Sequence, residues 1–196
     1  CWNSLHQNSD WKRLIVLLLV DNGSVFTKDI ANTLSESDVI FEKKSFDDIN
    51  PDEIAKFDSY ILSGRRHNDS KMNAKNSKIV LHAVSEKKKL LGICYGAEIL
   101  ALALGGTIRK SSTIRGEQEI TCNENSLCIG KDIVFESHSY EISKLGNSLN
   151  CIAESGNCKN EIIKHKELSI YGTQFHPEMT KDGQVMIKKF TKLWWY

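Results

Sequence analysis

LLGICYGAEILALALGG, residues 90–106, changes character twice. Residues 90–94 form an apolar run of strand length, residues 97–104 are apolar helix formers, and Gly105-Gly106 stops the helix. No loop separates the two, so Gly92-Ile93-Cys94-Tyr95-Gly96 is a strand-to-helix junction. Such a turn lifts its central side chain above the sheet, and the small neighbours keep the approach open. It also places the Cys94 thiol at a helix N-terminus, where the dipole and free amides favour thiolate. The next amide, that of Tyr95, can help to hold an oxyanion. The plain alternative, a core cysteine ahead of a glycine turn, is as common for this motif alone.

Upstream, the same strand–helix grammar repeats. Residues 14–20 (LIVLLLV) are too few to span a membrane, end in Asp21-Asn22-Gly23 and lack a small-residue cleavage pattern. They read as a buried parallel strand. Ser24 can cap a helix carrying Val25, Phe26, Ile30 and Leu34. Residues 38–41 and 60–62 are further strands, the latter broken by Ser63-Gly64, and Pro51 opens a short helix to residue 55. A polar loop, residues 65–71, precedes a helix with Met72, Ile79, Val80 and Ala83 on one side. The alternation predicts an α/β fold: a mostly parallel central sheet flanked by helices.

Downstream of Thr107 the pattern becomes short strands with turn signals, at residues 117–122, 127–129, 133–136, 149–154 and 161–164. These predict a small antiparallel excursion. Residues 169–173 return as a strand, and the last helix turns Met186, Ile187, Phe190, Leu193 and Trp194 inward. The aromatic end, Leu193-Trp194-Trp195-Tyr196, reads as packing against the sheet, with partner binding as the alternative. With no repeat or linker, residues 14–196 make one domain, and residues 1–13 are an unassigned extension.

Across 196 residues, Lys plus Arg (26) nearly balance Asp plus Glu (25), a net charge of +1. That balance removes the electrostatic case for a nucleic-acid or anionic-membrane binder. The six cysteines contain no C-x-x-C, so no metal site is expected. Cys122 and Cys128 flank one turn-like stretch, and Cys151 and Cys158 another. Reduced thiols in a cytoplasmic enzyme are expected, with a secreted disulfide protein as the alternative.

A thiol nucleophile needs a base and an orienting group. His6 has no readable context, His82 lies in a lysine-rich helix and His165 in a charged hairpin. His176 follows a strand end, is fixed by Pro177, and has Glu178 two residues on. That spacing can hold a carboxylate against the ring's far nitrogen.

The motifs together, GICYG, the apolar helix with GG, Ser137-His138 and YGTQFHPE (residues 171–178), resemble class I glutamine amidotransferases. The resemblance runs from about residue 14 to about residue 190, and it is strongest to the glutaminase part of GMP synthetase. It implies a flavodoxin-like fold and a Cys94, His176, Glu178 triad hydrolysing the side-chain amide of L-glutamine. It further implies oxyanion donors at the Tyr95 and Arg65 amides, and substrate binding at Gly64 and Glu98. By the same resemblance, the backbone of Ser139 and Tyr140 grips the α-carboxylate. No cofactor is implied in this chain; ATP and Mg belong to a separate ATP-pyrophosphatase chain that aminates XMP. No phosphate-binding G-x-x-x-x-G-K-[ST] loop is present. Alternatives are the glutaminase component of anthranilate or aminodeoxychorismate synthase, a stand-alone γ-glutamyl thiol hydrolase, or a non-catalytic regulatory module.

Three stretches depart from the pattern. Arg65, in Ser63-Gly64-Arg65-Arg66-His67, stands where relatives carry glycine, which puts the loop's backbone angles in question. Glu98 stands where they carry glutamine; its carboxylate either accepts from the substrate's ammonium or faces away. Residues 137–141 mix features of two subfamilies. Arg65 and Arg66 read as solvated surface charge, with a partner or an anionic group as the alternative.

Overall fold

The computed structural model describes residues 15–123 and 126–193. Among these residues the backbone is one nine-stranded sheet flanked by four α-helices. The first half alternates β1 (Val16–Asn22), α1 (Thr27–Ser35), β2 (Ile40–Ser45), β3 (Ser59–Arg65), α2 (Ser70–Ser85), β4 (Lys89–Ile93) and α3 (Tyr95–Ala103). Then follow β5 (Thr107–Cys122), β6 (Gly130–Lys144), β7 (Leu149–Glu154), β8 (Ile162–His165), β9 (Ile170–Thr173) and α4 (Lys181–Lys192). The spatial order is β2-β1-β3-β4-β9-β8-β7-β5-β6. The strands from β2 to β9 in that order pair in parallel, and the remaining pairs are antiparallel.

The unbroken apolar run of β1 has a direct cause: both of its faces are covered. Leu18 and Val20 pack with Ile79, Val80 and Leu100 from α2 and α3. Leu17 and Leu19 pack with Ile30 and Leu34 of α1 and with Ile187 and Phe190 of α4. Each such fully buried side chain contributes about 1.5–3 kcal/mol. Helix α2 starts at the end of the expected loop because Asp69 Oδ1 accepts from the Met72 amide at 2.8 Å, a cap contributing about 1 kcal/mol.

Several expectations are corrected. The second strand falls at Ile40–Ser45 rather than residues 38–41; it is a sheet edge whose Glu42 and Lys43 face solvent, so it has no apolar run. Strand β3 does not break at Ser63-Gly64 but continues to Arg65, paired across to Asn22. Residues 127–129 are not a strand, and residues 117–122 and 133–136 are pieces of one long β5–β6 ribbon. Cys122 and Cys128, expected as reduced thiols, are joined in a disulfide across the turn of that ribbon, while Cys94, Cys151 and Cys158 are free. Among the described residues no helix is long and apolar enough to cross a membrane. The extension at residues 1–13 and the final Trp194-Trp195-Tyr196 lie outside the described residues.

Candidate active site

The site lies at the C-terminal ends of β3, β4 and β9. Cys94 follows β4 directly and takes φ 51° and ψ −105°, a backbone region that costs a non-glycine residue on the order of 1–3 kcal/mol. Its amide donates to Thr173 O at 2.7 Å, and its carbonyl accepts from the Ala97 and Glu98 amides. The elbow is pressed against the sheet. A Cβ on Gly92 would stand 2.5 Å from the Gly96 backbone, and one on Gly96 would stand 2.4 Å from Leu62 O. The two glycines flanking the nucleophile position are therefore required by close packing, independently of any ligand. Tyr95 occupies the first turn of α3, where its amide belongs to the positive end of the helix dipole.

His176 comes to Cys94 from the end of β9. Its amide donates to Phe135 O at 2.8 Å, which ties the loop to β6. Its ring meets Phe26 edge-on at 4.7 Å between centroids. Gly64 makes room on another side: a Cβ there would lie 2.9 Å from His176 Cε1. His176 Nδ1 stands 2.8 Å from Glu178 Oε1, so its proton on that nitrogen is donated to the carboxylate. Burial pulls the ring's pKa down, but the neighbouring Cys94 sulfur and the Glu178 carboxylate outweigh it and raise it to about 10. At neutral pH the ring is thus imidazolium. The Gln184 side chain donates to Glu178 O at 3.1 Å and steadies the short turn Pro177–Met179.

Beside the thiol is an open cleft of about 400 Å³ whose walls include Tyr95, Arg65, Glu98, Ser139 and Tyr140. Arg65 does not adopt a positive φ, so its backbone does not require a glycine. Its guanidinium lies 4.5 Å above the Tyr95 ring and 3.6 Å from Glu98, and it donates to Asn68 Oδ1 at 2.6 Å. Glu98 therefore faces the cleft. Burial pushes its carboxyl up from the ordinary value, against Arg65, His138 and Gln174, which favour the charge. Ser139 sits at a break in the ribbon: Lys110 pairs with Tyr140 and Ile114 with His138, so three residues of β5 bulge opposite one of β6. That leaves Ser139 outside the ladder, its hydroxyl sharing a hydrogen bond with Thr113 at 2.9 Å.

One buried cluster behind this wall escaped the sequence reading. His138 Nδ1 donates to Tyr140 O at 2.8 Å, and its Nε2 stands 2.8 Å from Glu136 Oε2, out of line for a hydrogen bond. Glu161 is held well above the usual carboxylate range by burial and by the neighbouring Glu136. Gln174 accepts from the Ile142 amide at 3.1 Å and spans the same layer. The period-two spacing of Glu136, His138 and Tyr140 on β6 was the available signal. Elsewhere, Cys122, Cys128 and Asp132 bring ligand-type atoms within 4.8 Å of one another, but the disulfide leaves neither sulfur a thiolate to bind metal. A larger hollow of about 600 Å³ lies at the other end of the sheet, between Ile15, Val39, Lys89 and Leu193, lined by neither cysteine nor histidine.

A thiol on a strained strand-to-helix elbow, faced by a histidine and its carboxylate, defines a class of α/β enzymes that work through a cysteine nucleophile. The chain belongs to the class I glutamine amidotransferase family, whose profile matches residues 18–193. It is 34% identical over 190 residues to the glutamine-hydrolysing GMP synthase subunit of Pyrococcus furiosus, covering 91% of this chain and 98% of that one. It is 29% identical over 204 residues to the GMP synthase of Hamiltonella defensa, covering 94% of this chain but only 37% of that longer protein. A solved structure from Thermoplasma acidophilum, assigned as one subunit of a GMP synthase, superposes with a TM-score of 0.81 at 27% identity. The superposition covers 91% of this chain and 92% of the other.

Proposed function

We propose that this chain hydrolyses the side-chain amide of L-glutamine and hands the ammonia to a separate ATP-dependent synthetase that aminates XMP. The observation that carries the chemistry is the Cys94 elbow facing a His176 ring anchored on Glu178. The similarity to the glutamine-hydrolysing subunits of GMP synthases supports the choice of acceptor.

The Cys94 thiolate attacks the amide carbon of glutamine. The negative charge that develops on oxygen is held by the Tyr95 amide and by the amide of Arg65. Imidazolium at His176 gives its proton to the amide nitrogen, the C–N bond breaks, and ammonia departs. A γ-glutamyl thioester remains on Cys94. Its formation removes the thiolate charge that raised the His176 pKa, so the ring becomes a base just when one is needed. Neutral His176 then takes a proton from water, the hydroxide attacks the thioester, glutamate leaves, and thiolate and imidazolium return. Glu178 holds the ring in one orientation throughout. Gly64 leaves space for that ring, and the backbone at Ser139 and Tyr140 receives the substrate's α-carboxylate. ATP and Mg act on the synthetase chain, and reaction and assembly take place in the cytoplasm.

Replacing Cys94 by Ala tests this directly. Glutamate release, assayed with the synthetase chain present, is expected to fall at least 10³-fold with an unchanged circular dichroism spectrum. Normal turnover in that variant would overturn the proposal.

A further inference from the structure

The cluster behind the cleft holds two carboxyl groups that the triad chemistry does not use. Glu136, on β6, and Glu161, just before β8, are each 1% exposed and face one another. Both oxygens of Glu136 and Oε2 of Glu161 are out of water, with no hydrogen-bond partner among the described residues. A carboxylate only accepts, so two ionised groups here would stay opposed and unpaired. One proton between them makes one group a donor and the other its acceptor. The groups around the pair do not replace that proton. His138 Nε2 is near Glu136 but out of line, and Glu141 of β6 is held by Arg109 of β5 at 2.6 Å. At the end of β9, Gln174 Oε1 accepts from the Ile142 amide. Ser155, after β7, bonds Glu161 and favours its charge, yet burial and Glu136 outweigh it and hold the carboxyl well above its usual range. Burial and the nearby carboxyls keep Cys158 a thiol, so it adds no charge.

The pair also lies on the backbone links that seat the catalytic histidine. Phe135, the residue before Glu136, accepts the His176 amide at 2.8 Å. The Glu161 carbonyl accepts the amide of Gln174, two residues before His176, at 2.8 Å. We propose that Glu136 and Glu161 share one buried proton, and that this carboxyl–carboxylate clamp positions His176 against Cys94. This rests on the glutaminase reading above and adds to it a support for the base. The clamp touches no substrate. It joins the strand that holds the His176 amide to the segment that leads into His176, and without the shared proton two like charges would repel across that junction. The folded chain keeps this proton where the unfolded chain has lost it. Its stabilisation is therefore full below the ordinary carboxylate range and fades as pH rises toward the raised Glu161 value.

The test compares Glu161→Gln with Glu161→Ala in the otherwise unaltered full chain. Gln keeps a donor toward Glu136 but has no proton to lose, whereas Ala leaves Glu136 buried and unpaired. At neutral pH, with the synthetase chain present, Glu161→Ala is expected to lower kcat for glutamate release about 10–100-fold with KM within a few-fold. Glu161→Gln is expected to restore kcat to within a few-fold of the parent. Urea unfolding reads the proton itself. From about pH 5 to about pH 8, the parent's unfolding constant should rise, relative to that of Glu161→Gln, by up to about tenfold per pH unit. The same pH dependence in both chains would overturn the shared proton, and this comparison stands even if Glu161→Ala does not fold. Parent-like kcat in Glu161→Ala, or equal loss in both variants, would overturn the positioning role. Failure of the glutaminase reading would register separately, as no glutamate release from the parent while the urea comparison still shows the proton.

Discussion

Two charged pairs stand close to Cys94, and they are built differently. His176 and Glu178 meet at 2.8 Å with side chains 4% and 0% exposed. In the cleft, Arg65 and Glu98 stand 3.6 Å apart with side chains 21% and 6% exposed. The first is short, dry and local, two residues apart in one turn that Pro177 and Gln184 steady. The second is longer and wetter, and it joins separate elements. A tight pair fixes an orientation and is costly to break, whereas a loose pair can change partners when a better one arrives.

Substitutions can break or sharpen that contrast. Glu178→Gln keeps the shape but removes the charge that holds the ring. It is expected to lower kcat by on the order of 10²–10⁴-fold with little change in KM. It also removes one of the causes that raise the His176 pKa. Because imidazolium is the acid for ammonia release, kcat/KM of the parent should fall as pH rises through about 10. In Glu178→Gln that alkaline limb should move to lower pH; an unmoved limb would mean that the carboxylate does not act on the ring.

Gly64→Ala tests how closely the histidine ring is fitted. The added methyl would lie 2.9 Å from His176 Cε1 and must displace the ring. A displacement of under an ångström is expected to lower kcat about 10–100-fold. Wild-type turnover in Gly64→Ala would show that the ring has slack. Glu98→Gln, in the loose pair, should have the smallest effect on the chemical step. Its steady-state signature is a KM for glutamine raised about tenfold with kcat within a few-fold. A large loss of kcat would erase the distinction between the pairs.

Much of the parallel half was legible because burial on both faces writes itself into sequence. The run at β1 and the stretch at residues 90–106 are apolar for that reason, and the elbow glycines follow from close packing. The strand at Leu149–Glu154 was also legible, placed at residues 149–154 by the turn signals around it. The β5–β6 ribbon was not. Over Thr107–Cys122 it is mostly exposed or half-buried, with only Ile120 buried, so hydrophobic periodicity had little to report. Cys94, His176 and Glu178 could be picked out because each sits in a distinctive local motif. The meeting of Arg65 with Glu98 could not, since each looked like an isolated departure and only the packing of α3 against β3 joins them.

The central claim is that Cys94 forms a covalent γ-glutamyl thioester. Acid-quenching the chain, with its synthetase present, during turnover of glutamine and mapping the added mass by peptide mass spectrometry tests it most directly. One γ-glutamyl group is expected on the peptide that contains Cys94, accumulating when thioester hydrolysis is slowed at low pH, where His176 cannot act as a base. Steady glutamate release with the γ-glutamyl group on another residue, or on none under the same quench, would contradict it.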